Sequence, residues 1–211
     1  MNVSILNLDC GNLSSICNAL KHLDLDIEIT RDKKKINNSD AIVLPGNGNF
    51  SHVMSFLKKQ GLDDLLYESL LVKKKPFLGI CIGFQILFSS SMENDVKTDG
   101  LNFFNGNLTK IIEKKKTDNF SLPHIGWNNI EIIQSNSILK NIGKDLDFYF
   151  MHSFINNDID NPYVTSICEY GERFVSSIEK ENITAIQFHP EKSHGTGINL
   201  LKEWIKNCVK N

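Results

Sequence analysis

Pro76-Phe77-Leu78-Gly79-Ile80-Cys81-Ile82-Gly83-Phe84-Gln85-Ile86-Leu87-Phe88 is the longest apolar run of the chain, and its reading decides the fold. Phe77 to Ile80 is short, apolar and bounded by Pro76 and a glycine-flanked turn, which predicts a strand buried on both faces. Phe84, Leu87 and Phe88 then recur at helical spacing and predict a helix that begins just after Cys81. A buried strand, a sharp turn and a helix form the unit from which parallel sheets are built. The run is 13 residues long and contains Gln85, well short of the roughly 18 apolar residues needed to cross a bilayer.

Working outward, the same alternation recurs upstream. Val3 to Leu8 reads as a strand, and Leu13, Ile16, Cys17, Leu20 and Leu23 mark an amphipathic helix. Ile27 to Ile29 and Ala41 to Leu44 are further strands, the second stopped by Pro45-Gly46-Asn47-Gly48, and the stretch from Phe50 to Val72 reads as helix. Downstream of Gly100 the texture changes to short strand-like pieces: Leu108 to Ile112, Asn129 to Ile133, Phe148 to His152, Tyr163 to Ile167, Ser176 to Glu179 and Thr184 to Phe188. These predict hairpins flanking the first sheet. Ile198, Leu201, Trp204, Ile205 and Cys208 give a closing amphipathic helix over 195–209. The expected fold is α/β: a mostly parallel central sheet with flanking helices and additional antiparallel strands. At 211 residues the chain is expected to be a single domain, 1–211.

Composition narrows the function. A chain with 41% hydrophobic and 23% charged residues can bury a full core, which excludes disorder. The 23 basic and 25 acidic side chains leave a net charge of -2, with no electrostatic footprint for nucleic acid or an anionic membrane. Met1-Asn2-Val3-Ser4 turns polar too soon for a signal peptide. Five widely spaced cysteines without a Cys-x-x-Cys pair read as free thiols of a reducing cytosol, with neither metal nor cofactor expected. The basic triplets Lys33 to Lys35, Lys73 to Lys75 and Lys114 to Lys116 are expected to be solvated.

The chemistry concentrates at Gly79-Ile80-Cys81-Ile82-Gly83, where a strand-to-helix elbow would present a thiol nucleophile. Glycines permit a sharp turn, and the following helix N-terminus offers N–H groups to a thiolate and to a developing oxyanion. Taken alone, a small residue packed in a turn explains Cys81 equally well. A cysteine nucleophile needs a base. His189, in Gln187-Phe188-His189-Pro190-Glu191, ends a strong strand, and Glu191 lies close enough to orient its imidazole. His124 and His152 are rival bases without a neighbouring carboxylate, and are read as structural. Gly46 and Asn47, after a buried strand, could bring backbone N–H groups beside Cys81, as could Ile82, and so form an oxyanion hole.

Together these pieces resemble the triad-type glutamine amidotransferases, with their flavodoxin-like fold, and more closely the glutaminase subunits of imidazole glycerol phosphate synthases. The likeness runs over nearly the whole chain, through Asp9-Cys10-Gly11-Asn12, Pro45-Gly46-Asn47-Gly48-Asn49-Phe50, Gly79 to Gln85, Pro123-His124-Ile125-Gly126-Trp127-Asn128, Phe148 to Ser153 and Gln187 to Ser193. The resemblance implies hydrolysis of L-glutamine through a Cys81 thioester, with Gly48, Gln85, His152 and Ser153 at the substrate. It also implies that ammonia passes through a tunnel to a (β/α)8-barrel cyclase subunit. The pair would be a heterodimer that makes imidazole glycerol phosphate and an aminoimidazole carboxamide ribonucleotide in histidine biosynthesis. Asn12, Trp127 and Lys192 match family positions at the subunit contact. Two features depart from the family: Asn47 and Asn49 stand where small or apolar residues are usual, and the loop after Asp9 is shorter. They leave room for a paralogue that feeds a different synthase, such as a sugar amidotransferase. A stand-alone cysteine hydrolase and a catalytically silent binding subunit are the rival classes, and both account less well for the retained Cys, His and Glu.

Overall fold

The computed structural model describes residues 1–9, 13–112 and 120–210. The first part alternates as expected: β1 (Asn2–Leu6), α1 (Leu13–Lys21), β2 (Asp26–Thr30), α2 (Lys33–Asn38), β3 (Ala41–Leu44), α3 (Phe50–Gln60), α4 (Leu62–Tyr67) and β4 (Phe77–Ile80). β3 and β4 are apolar at every position because both faces are covered, and every residue of each is buried. After the one-turn helix α5 (Ile82–Gln85) come β5 (Phe88–Ser91), β6 (Thr98–Asp99), β7 (Phe104–Lys110), β8 (His124–Ile132) and β9 (Asp147–His152). β10 (Phe154–Ile155), β11 (Val164–Tyr170), β12 (Glu172–Lys180), β13 (Ile183–Ile186) and α6 (His194–Lys210) complete the order.

Nine strands form one sheet in the order β2-β1-β3-β4-β13-β12-β11-β8-β9. From β2 to β13 neighbours run parallel, and from β13 to β9 they run antiparallel. Of the late strands, β8, β9, β11, β12 and β13 extend the main sheet instead of flanking it as separate hairpins, while β6, β7 and β10 lie in a second, smaller sheet. The antiparallel half also curls. Tyr149 on the edge strand β9 bridges His189, just beyond β13, and the His189 N–H donates to the Tyr149 carbonyl at 2.9 Å. Phe148, Phe150, Phe174 and Phe188 fill the inside of this curl, with the Phe148 and Phe188 rings 4.0 Å apart. Truncating one of them to alanine should cost about 3–5 kcal/mol.

The helix after Cys81 is shorter than its periodicity predicts, because Phe88 begins a strand of a second sheet, β10-β7-β5-β6. Leu101, Phe103 and Asn102 donate to the carbonyls of Ile86, Leu87 and Phe88, which takes those groups away from a continuing helix. The serines that follow favour non-helical partners, as in the 2.6 Å bond from Ser90 Oγ to Asn107 Oδ1. One lysine also departs from expectation. Lys75 is buried, its ammonium donating to the carbonyls of Ser39 and Asn37, and burial lowers its pKa with Lys73 adding to the effect. Lys33 to Lys35 open α2, capped by Asp32, while Lys114 to Lys116 lie outside the described residues. No described helix is long and apolar enough to cross a membrane.

Candidate active site

Cys81 sits between β4 and α5 with φ 53° and ψ -102°, outside the main allowed regions. Such a conformation costs roughly 1–3 kcal/mol and persists only where its surroundings over-determine it. Here the Cys81 N–H donates to the Ile186 carbonyl at 2.9 Å, and its carbonyl accepts from the N–H groups of Phe84 and Gln85. The positive φ belongs to the cysteine itself and not to its flanking glycines, which have a different task. A Cβ on Gly83 would lie 1.9 Å from the Leu44 carbonyl oxygen, and one on Gly79 would lie 2.5 Å from that of Gly83. The glycines supply close approach, not turn freedom. With α5 only one turn long, its dipole is small, and the expectation of strong help from a helix N-terminus is revised to the local N–H groups.

One of those groups is already used. The Ile82 N–H donates to the Gly46 carbonyl at 3.3 Å, so in this conformation Gly46 presents an acceptor where an oxyanion would need donors. Asn47 and Gly48 are exposed beside it. Asn49, the second departure from the family, caps α3 by accepting from the His52 N–H at 3.0 Å.

His189 arrives from the other side at the end of β13, 3% exposed. Its Nδ1 lies 2.7 Å from Glu191 Oε1, which assigns the Nδ1 proton to that bond and leaves Nε2 for the cysteine. Nε2 and Glu191 Oε2 are buried without a hydrogen-bond partner among the described residues. Burial opposes protonation of His189, yet the adjacent Cys81 sulfur and the Glu191 carboxylate outweigh it and raise the pKa to about 10. An imidazolium is the partner a cysteine thiolate needs. The Cys81 sulfur is within electrostatic reach of the ring but outside hydrogen-bond geometry, as free active sites often show before substrate tightens them. Ser193 pins the segment: its Oγ donates to the His189 carbonyl at 2.6 Å and accepts from the Tyr149 N–H at 3.0 Å.

His124 and His152 form a separate, neutral pair. His152 Nδ1 faces the Phe154 carbonyl at 3.1 Å and must carry the proton. His152 Nε2 therefore accepts from His124 Nδ1, also at 3.1 Å, and His124 Nε2 accepts from the Asn128 amide. Burial lowers His124 to about 4. Burial, reinforced by His124 and by His189 and opposed by the Phe154 carbonyl, lowers His152 to about 3. In this conformation both nitrogens of the His152 ring, a residue expected at the substrate, are engaged within the protein. Gln85, expected at the substrate too, donates inward to Phe154 O and Gln187 Oε1, both at 3.1 Å. Ser153 is half-buried, and its carbonyl accepts from the Ile111 N–H. Gln187 and Ser193 also belong to the site, although local spacing in the sequence makes neither a candidate. The signal for Gln187 was a glutamine interrupting the apolar run 183–188.

Of the expected partner-facing residues, Trp127 is 48% exposed on β8 and stacks on His194 with ring centroids 4.9 Å apart. The exposed Lys192 ammonium lies 5.9 Å above the Tyr149 ring, and Asn12 lies outside the described residues. A surface concavity lined by Met1, Asp40, Pro76 and Cys208 opens at the opposite, N-terminal ends of β1 and β4. It is remote from Cys81, which follows the C-terminal end where parallel sheets place their sites. Among the described residues no cluster of His, Cys, Asp or Glu is arranged to hold a metal ion.

A cysteine elbow facing a His-Glu pair on this sheet defines a class, and the sequence comparison agrees: the chain belongs to the class-I glutamine amidotransferase family, whose model matches residues 6–208. Its curated relatives narrow this further. The chain is 38% identical over 209 residues to the imidazole glycerol phosphate synthase subunit HisH of Pelagibacter ubique, covering 97% of this chain and 99% of the relative. It is 37% identical over 204 residues to subunit HisH 1 of Campylobacter jejuni strain RM1221, covering 97% and 99%. The fold matches the structure of PurLQS from Thermotoga maritima, with a TM-score of 0.73 at 16% identity over 98% of each chain.

Proposed function

We propose that this chain is the glutaminase subunit of an imidazole glycerol phosphate synthase, acting as one cytosolic domain that hydrolyses L-glutamine and passes ammonia to a (β/α)8-barrel cyclase subunit. The observation that carries the reading is Cys81 on its strained elbow opposite a His189 held by Glu191 at 2.7 Å. In this scheme the Cys81 thiolate attacks the side-chain amide carbon, and N–H groups at Gly46, Asn47 and Ile82 receive the oxyanion. The His189 imidazolium gives its proton to the departing nitrogen, releasing ammonia and leaving a glutamyl thioester. His189 then takes a proton from water, hydroxide adds to the thioester carbon, and glutamate and thiolate are regenerated. A dry path to the partner keeps ammonia unprotonated and nucleophilic.

The bond from Ile82 N–H to Gly46 O must break before these donors can face the oxyanion together. Engagement of the barrel around Trp127, Lys192 and Asn12 would supply that bias. The test measures glutamate release from glutamine with and without the co-purifying barrel protein. Stimulation by a cyclase partner supports the reading, and activity toward peptides instead of glutamine overturns it. A second reading, a paralogue serving a different synthase such as a sugar amidotransferase, is favoured by exposed Asn47 where the family is usually apolar. Identifying the barrel and the acceptor it aminates separates the two.

A further inference from the structure

Two glutamines interrupt the two apolar runs that meet at the site, Gln85 within 76–88 and Gln187 within 183–188. A buried carboxamide without partners costs free energy, so each must be satisfied. They satisfy one another: Gln85 Nε2 donates to Gln187 Oε1 at 3.1 Å and to the Phe154 carbonyl, also at 3.1 Å. With its oxygen committed as acceptor, the Gln187 amide is fixed in one orientation, and its Nε2 points at the Cys81 sulfur, 3.7 Å away. Gln187 is fully buried, so this contact is shielded from water. The geometry follows from strand pairing. Gln187 and His189 lie two residues apart in the segment just past β13, which pairs through the Gln187 N–H to Ser176 O and the His189 N–H to Tyr149 O, so the segment that delivers the imidazole also delivers the amide.

We propose that Gln187 is a catalytic residue of the glutaminase reaction: its side-chain N–H donates to Cys81 Sγ and stabilises the sulfur as an anion, before attack and again when the thioester expels it. The proposal rests on Cys81 being the nucleophile. Two main-site groups compete for the same sulfur. The Met151 carbonyl, 3.8 Å from Sγ, accepts from the protonated thiol and favours it, whereas the Gln187 N–H has an acceptor of full strength only in the thiolate. Among the described residues, His189 with Glu191 from the segment after β13 faces the sulfur, and His152 from β9, with His124 from β8 behind it, faces His189. His152 and His124 are neutral near pH 7, so among these His189 is the cation facing the sulfur, and Gln187 is a neutral donor beside it. Gln85 acts through Gln187 and is a positioning residue, and the same Phe154 carbonyl that holds it accepts from His152.

The test is the pH dependence of Cys81 alkylation by iodoacetamide in the full chain, read by mass spectrometry of the Cys81 peptide. It needs no glutamine and so stands apart from the hydrolysis assay. Gln187→Met removes the donor at similar length and should raise the alkylation midpoint by about one pH unit, slowing modification near pH 7 about tenfold. Gln187→Glu keeps the shape but sets an acidic group against the sulfur, and should raise the midpoint further. A residue that merely packs would lower the thermal midpoint of unfolding without moving the alkylation midpoint. Unchanged alkylation midpoints in whichever of the two variants fold would overturn the role of Gln187. Wild-type protein that alkylates normally but releases no glutamate from glutamine, alone or with its barrel, would instead overturn the glutaminase reading.

Discussion

The two halves of the nine-stranded sheet contribute to the site in different ways. The parallel half carries the proposed nucleophile through local geometry: β4 ends, the chain turns at Cys81, and Gly79 and Gly83 make room for the turn. The antiparallel half contributes through closure. β9 returns across the site, so that Tyr149 bridges His189, Met151 places its carbonyl by the sulfur, and His152 supports the carbonyl that orients Gln85. One half places the sulfur proposed to react, and the other holds what surrounds it. Substitutions in the first should therefore remove chemistry with little loss of fold, and substitutions in the second should act through stability and pH.

The largest effect is expected in the parallel half. Cys81→Ser should lose more than about 10³-fold of glutamine hydrolysis, because nucleophile and base act as a unit. Ammonia-dependent synthesis by the complex should survive. A serine variant hydrolysing glutamine near the wild-type rate would erase the division of labour at its root. Next comes His189, which both halves hold. His189→Ala should cost at least about 10²-fold, with Glu191→Gln comparable or smaller, measured as kcat of glutamate release. If His124 or His152 proves essential to thioester formation while His189 does not, the antiparallel half carries the base.

A pH series sharpens the comparison. His124 and His152 are held near 4 and 3, below the ordinary value of about 6.5, so the unfolded chain binds more protons than the folded one between these limits. Stability should fall as pH drops from about 6.5 towards 4, by an amount on the order of a few kcal/mol for the pair. His189 has the opposite sign. Its pKa is raised to about 10, so its contribution is complete below pH 6.5 and is lost as pH rises through 10. Thermal midpoints of wild type and of a His152→Gln variant check this: the variant should lose much of the acid-side slope and keep the alkaline one. Equal acid slopes would show that the histidine pair does not control it.

The asymmetry also explains what the sequence revealed. β1 to β4 and the Cys81 elbow were legible because their signals are local: apolar runs of strand length, turn residues at their ends, helical periodicity between. His189 and Glu191 were legible because two residues of spacing fix their relation. The join between the halves was not, since nothing near Tyr149 announces that it bridges a residue forty positions later. The roles of Gln187, Ser193 and Met151 depend on that closure, and so does the inward turn of His152. The truncated helix at Phe88 was missed for a related reason: carbonyls of 86–88 are claimed by N–H groups of 101–103, a competitor that periodicity does not contain.

The smallest effect tests the loop that joins the parallel half to its helix. Asn47 and Asn49 look alike in sequence as two polar residues on the oxyanion strand, but they stand in different surroundings. Asn49 Oδ1 accepts from the His52 N–H at 3.0 Å and from Ser51 Oγ at 2.6 Å, and so caps α3, while Glu93 takes the neighbouring Phe50 N–H. Asn47 is exposed. Asn49→Ala should therefore lose about 1 kcal/mol, the usual cost of an N-cap, lowering the thermal midpoint by roughly 2–4 °C at this chain length. Its rate of glutamine hydrolysis, alone and with the proposed barrel partner, should stay as in wild type. Asn47→Val should do the reverse, leaving the midpoint in place and changing either basal hydrolysis or its stimulation, because in the proposed scheme it alters the strand that releases the Ile82 N–H. An Asn49 variant that changes stimulation without changing stability would move that residue from the helix cap to the oxyanion switch. An Asn47 variant that changes neither would leave the switch to the backbone of Gly46 alone.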